Sequence, residues 1–105
     1  MQVDIRTRKI EVDEALRAHV ARRLRFALGR FGERIAKVMV RFEDANGVRG
    51  GVDKQCRIDV ALRPSGNVLI KDIDADLHAV VDRAADRAAR AVDRDLQRRR
   101  DAGRL

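Results

Sequence analysis

"QCRIDVALRPSGNVLIKDI", residues 55–73, sets two strand-like stretches on either side of the chain's only proline. In the first, Cys56, Ile58, Val60 and Leu62 alternate with Gln55, Arg57, Asp59 and Ala61. A period of two predicts a half-buried strand over 55–63. Pro64-Ser65-Gly66-Asn67 has the composition of a tight turn. "VLIKDI" (68–73) then reads as a second strand, apolar on both sides, so periodicity leaves its inward face open.

Working outward, "IAKVMVRFE" (35–43) alternates Val38, Val40 and Phe42 against Lys37, Met39 and Arg41. The intervening "DANGVRGGVDK" (44–54), with Asn-Gly and Gly-Gly, is read as a loop. Three consecutive strands joined by turns predict an antiparallel meander. Upstream, "QVDIR" (2–6) is a short strand. After it comes a helical period that sets Leu16, Val20, Leu24, Ala27 and Phe31 on one face. Asp13 suits its N-cap and Glu14 its first turn, and Gly29 and Gly32 mark its end. From Asp76 the helical period returns and lasts to about Arg100, with Asp74 or Asp76 as N-cap.

The order is β-α-β-β-β-α. It predicts an α+β fold, a four-stranded sheet with two helices packed on one face. The open face should carry Lys37, Arg41, Arg57, Asp59 and Arg63. The 105 residues suit one domain, expected over 1–100 with a short basic tail at 101–105.

Composition narrows the function. With 45% hydrophobic and 39% charged residues the chain should bury a core, and no apolar run approaches the roughly 20 residues of a membrane span. "MQVDIRTRK" carries charge from its fourth residue, so no secretory leader is expected and the cytoplasm is the expected location. Cys56 has no cysteine to pair with and no Cys/His cluster around it. It is read as a small buried hydrophobe, with no metal expected. His19 and His78 lack a Ser or Cys at motif spacing, and "DIDAD" (72–76) lacks the Gly and terminal Glu of an EF-hand. No catalytic residue, cofactor or small-molecule substrate is therefore expected.

The formal net charge of +7 points to an anionic partner, of which nucleic acid is the commonest. Aromatic residues are only 3%, too few for base-stacking platforms, so recognition should run through phosphates. Arg and Ala are also favoured by GC-rich coding, so placement is better evidence than total charge. A structural module whose arginines reflect only coding predicts no salt-dependent RNA affinity.

The placement is informative in "DRAADRAARAVDRDLQRRR" (82–100). On a helical wheel with Leu77 at zero, Val80, Val81, Ala84, Ala85, Ala88, Ala91, Val92 and Leu96 form a core stripe within roughly 100°. Asp82, Asp86 and Asp93 fall at about 140–180°, expected to face solvent. Arg83, Arg87, Arg90, Arg94 and Arg98 fall at about 220–300°, one continuous ridge. Asp86 could reach Arg83 and Arg90, and Asp93 could reach Arg90, which supports a self-neutralising helix. Yet arginine stacks on arginine along one edge and Asp82 on Asp86 along the other, which favours an external anion on the basic edge. On the first helix Arg23 and Arg30 flank the core stripe at about 320–340° from Leu16, a second basic edge that could border the same track. Phe26 lies near this edge and is the one candidate for stacking, although core or surface packing is the favoured reading for it. Arg99 and Arg100 fall off the ridge, suited only to the helix dipole or a frayed tail.

"MQVDIRTRKIEVDEALRAHVARRL" followed by "DADLHAVVDRAADRAARAVDRDLQ" resembles the ribosome hibernation-promoting factor family, also called ribosome-associated inhibitor or sigma-54 modulation proteins, in its short form. The resemblance covers about residues 1–100 and implies a double-stranded-RNA-binding-domain-like fold. It implies a translation inhibitor that binds rRNA of the small ribosomal subunit at the decoding channel, where mRNA and tRNA sit, under stress or in stationary phase. Family basic positions match at Arg23, Arg87, Arg90, Arg94 and Arg98; Phe26 and His78 depart from the usual lysine and aromatic. The chain stops near the end of the second helix, so ribosome dimerisation would call for a second factor. The alternative is a general double-stranded-RNA or DNA-binding module.

Overall fold

The computed structural model describes residues 1–44 and 53–103. Its elements are β1 (Gln2–Arg8), α1 (Glu14–Leu28), β2 (Ile35–Asp44), β3 (Lys54–Leu62), β4 (Asn67–Asp74) and α2 (Leu77–Ala102), in the predicted order. The loop expected over 44–54 is shorter at its ends, because Asp44 and Lys54 still pair as sheet residues; 45–52 lie outside the described residues. A 3-10 segment, Gly29–Arg34, carries the chain from α1 into β2, with Gly32 at φ 54° where a side chain would be strained.

The strand order is β1-β2-β3-β4. β2, β3 and β4 form the expected antiparallel meander. β1 pairs parallel with β2, since α1 returns the chain to the end where β1 began. Alternation sends Val38, Val40 and Phe42 of β2 and Cys56, Ile58, Val60 and Leu62 of β3 into one buried layer. On β4 the structure makes the choice that the periodicity left open. Val68 and Ile70 face inward, while Leu69 and Ile73 lie on the open face, 48% and 51% exposed. Asp72, on the inward parity, thus comes to lie beneath α2.

α1 begins as expected, with Asp13 Oδ1 accepting from the Leu16 N–H at 2.8 Å. It buries Leu16, Val20, Leu24 and Leu28. Asp76, of the two aspartates considered, caps α2, accepting from the His78 N–H at 2.8 Å. Ala84, Ala85 and Ala88 are fully buried, so α2 lies close to β3, β4 and α1. α2 runs through Ala102, so the first two residues of the expected tail are helical; 104 and 105 lie outside the described residues. Arg99 is not a frayed-tail residue. Its guanidinium lies 3.2 Å from Asp95 Oδ2 and covers Gly66 in the β3–β4 turn, where φ is 98°.

Candidate nucleic-acid interface

The five ridge arginines project from one side of α2, but they are not equivalent. Arg83 is clamped to the end of β4. Its Nε and Nη2 donate to Asp72 Oδ2 and Oδ1, each at 2.8 Å, and its Nη1 donates to Asp74 Oδ2 at 3.1 Å. Arg87 Nη1 donates to the Lys71 carbonyl at 2.8 Å and to Asp72 Oδ2 at 3.1 Å. The Arg83 hydrogen bonds hold the Asp72 carboxyl down at about 2, against the cost of its burial and with help from Arg87. The same pairing raises the Arg83 guanidinium. Asp74 is lowered, first by the Asp76 N–H and then by Arg83. Arg98 Nη2 reaches Asp95 Oδ1 at 3.1 Å. Arg90 and Arg94 are exposed and have no carboxylate partner among the described residues. The self-neutralising pairs expected from Asp86 and Asp93 to Arg90 do not form; Asp93 instead accepts from Gln97.

The other edge of α2 corrects the sequence reading. Asp82 and Asp86, expected to face solvent, are turned toward α1. Arg23 Nε donates to Asp82 Oδ1 at 3.0 Å and its Nη2 to Asp86 Oδ1 at 2.8 Å, while His19 Nε2 lies 2.7 Å from the same Asp82 oxygen. The His19 and His78 rings complete this seam at 4.9 Å. Arg23 therefore ties the helices together, with an acidic edge between it and the ridge, and the two basic edges do not border one track. Arg30 is also displaced from its wheel position. α1 ends at Leu28, and Arg30 in the 3-10 segment stacks on Phe31 at 4.6 Å. Phe26 is 83% exposed, with the Arg23 guanidinium 5.8 Å from its ring.

Sequence reasoning missed Asp72 and Asp74 as partners of the ridge. Parity identifies Asp72 only once Val68 and Ile70 are seen to face inward, since a carboxylate on that face must meet a cation. Cys56 is buried as expected, and burial pushes its thiol up to about 12, with Asp72 adding to the shift. Among the described residues no three His, Cys, Asp or Glu side chains gather as a metal site, and no helix is long and apolar enough to cross a membrane.

Fold and charge together define a small basic α+β domain, an open four-stranded sheet covered on one face by two helices, one of them arginine-ridged. The family described as "Sigma 54 modulation protein / S30EA ribosomal protein" matches residues 3–100, and the chain belongs to that family. Among solved structures it is similar to the N-terminal domain of Thermus thermophilus Protein Y. The identity is 30%, the TM-score 0.73, and the match covers 90% of this chain and 98% of that one. It shares its fold with a ribosomal subunit interface protein from Coxiella burnetii at 15% identity and TM-score 0.76, covering 91% of this chain and 99% of that one. No curated protein sequence matches the chain.

Proposed function

We propose that this protein is a non-enzymatic, cytoplasmic ribosome-associated factor that silences idle ribosomes under stress or in stationary phase. It seats in the decoding channel of the small subunit, with the α2 ridge against rRNA phosphates and a second factor supplying any ribosome dimerisation. The family membership supports the ribosome as partner. The observation that carries the assigned surface is the pair Arg90 and Arg94, exposed and uncommitted on a ridge whose other members are held by Asp72, Asp74 and Asp95. Guanidinium groups match phosphate oxygens bidentately, and two neighbouring exposed arginines with no carboxylate partner among the described residues are available to an external anion. Arg83, Arg87 and Arg98 would join by exchanging or sharing their carboxylates. Arg23 and Arg30 would contribute from the α1 side only at the margin.

The test is co-sedimentation with purified small subunits. Arg90→Glu/Arg94→Glu should lose binding by at least an order of magnitude, in line with the strong salt dependence of phosphate contacts. Equal binding by variant and wild type would remove the ridge from the interface. No binding by the wild type at low salt would remove the function. A second reading, a general duplex-nucleic-acid binder, is favoured by one feature: the ridge offers phosphate contacts but no side chain suited to reading bases.

A further inference from the structure

The sheet register lines up an unusual row on the face away from the helices. Arg6 on β1 is opposite Arg41 on β2, Arg41 opposite Arg57 on β3, and Arg57 opposite Lys71 on β4. Four cations thus cross the entire sheet in one line, about 14 Å long at the usual strand spacing. Like charges directly opposite one another destabilise a sheet, so the row works against folding. The acids of this face relieve it only in part, since Asp59 borders the same hollow as Arg41 and Arg57 but forms no ion pair with either. Asp4 pairs with Lys37 at 3.1 Å, Glu43 with Arg8 at 3.9 Å, and Asp59 accepts from Asn67 at 2.7 Å. Each is thereby engaged by a residue outside the row, and none of the four row cations has a carboxylate partner among the described residues. Arg6, Arg41 and Lys71 are exposed and Arg57 is half-buried beside Met39.

We propose that this row is a second RNA-backbone site, so that the protein is held between two nucleic-acid segments, one on the α2 ridge and one on the open sheet face. The row presents charge of one sign from edge to edge of the sheet, and a sugar-phosphate backbone presents a run of the other sign. Arginine, three of the four positions, favours phosphate oxygens. The inference takes from the proposed function only that the partner is RNA; it does not need that RNA to be ribosomal. It also accounts for four cations left without an ion-pair partner among the described residues in a chain with 17 acidic residues.

The experiment titrates the full chain with a short RNA duplex at low salt and reads stoichiometry. Wild type, Arg41→Gln/Arg57→Gln and Arg90→Glu/Arg94→Glu are compared, each checked for native circular dichroism. Wild type should bind two duplexes and each variant one. On small subunits, Arg41→Gln/Arg57→Gln should weaken binding on the order of tenfold and reduce the log–log salt slope by roughly 1.5 to 2. One duplex per wild-type chain, or a sheet-face variant with unchanged stoichiometry and salt slope, overturns the row as an RNA site. Row-dependent binding of poly-glutamate without RNA binding at that face also overturns it, in favour of an acidic protein partner. Two duplexes bound with no affinity for small subunits would support the row while sinking the ribosomal reading. Small-subunit binding that depends on Arg90 and Arg94 but not on Arg41 and Arg57 would do the reverse.

Discussion

Asp72 decides how much of the arginine ridge is available. Its carboxylate is only 12% exposed and takes hydrogen bonds from both Arg83 and Arg87, so both N-terminal arginines of the ridge are engaged within the protein. Asp72→Asn should lower stability by about 1 kcal/mol, the scale of a charge-assisted hydrogen bond discounted for half-exposed arginines. The same change should raise RNA affinity, because Arg83 and Arg87 are released from a countercharge. Thermal melting and RNA titration on one protein sample check both signs. A fall in both stability and affinity would mean that Asp72 orients the arginines for RNA. Since the folded carboxyl lies at about 2, below an unfolded value of about 3.9, its contribution is fully present above the unfolded value. It is lost as pH falls through about 2, so the Asn variant and wild type should converge in stability at acid pH. The ridge arginines were legible in the sequence because they repeat on one helix. Asp72 was not, because its partners lie 11 and 15 residues away on another element, and the alternation of "VLIKDI" gives no inward face.

At the scale of elements, α2 depends on small residues. Ala84, Ala85 and Ala88 have no exposed surface, and they let one helix approach β3, β4 and α1 together. Ala88→Leu should therefore overpack the site and cost about 1–3 kcal/mol. Urea unfolding would read this as a lower midpoint at unchanged slope; a neutral result would mean that the helix can shift outward freely. The wheel worked for α2 because the helix is continuous to Ala102, with every ridge residue in phase. It failed for Arg30 because α1 stops at Leu28 and a 3-10 turn has a different period. Strand pairing is the corresponding case on the sheet. Each strand showed its own alternating basic residues, but the line from Arg6 to Lys71 exists only once four registers are set.

For the whole molecule, the +7 charge has two outlets. The α2 ridge lies along the β4 edge and the row crosses the uncovered face of the sheet; the two come together at Lys71, whose carbonyl accepts from Arg87. A protein that binds bulk duplex RNA by charge alone loses affinity steeply toward physiological salt. A factor shaped for the small subunit should retain it. In competition at about 0.15 M salt, intact small subunits should therefore displace the protein from a large excess of duplex RNA. Equal competition by mass of phosphate would favour the general nucleic-acid binder.

The sequence by itself determined the element order, the N-cap at Asp13, the buried faces of β2, β3 and α2, the Leu16–Val20–Leu24 part of that of α1, and the arginine ridge. Each depends on a period within one segment, set by the geometry of a strand or a helix. Tertiary structure alone decided the inward face of β4 and the capture of Arg83 and Arg87 by Asp72. It also turned Asp82 and Asp86 toward Arg23 and aligned Arg6, Arg41, Arg57 and Lys71. Those outcomes depend on which elements lie side by side and in what register. Opposite charges find one another across such contacts, and like charges are forced together there when backbone pairing outweighs their repulsion.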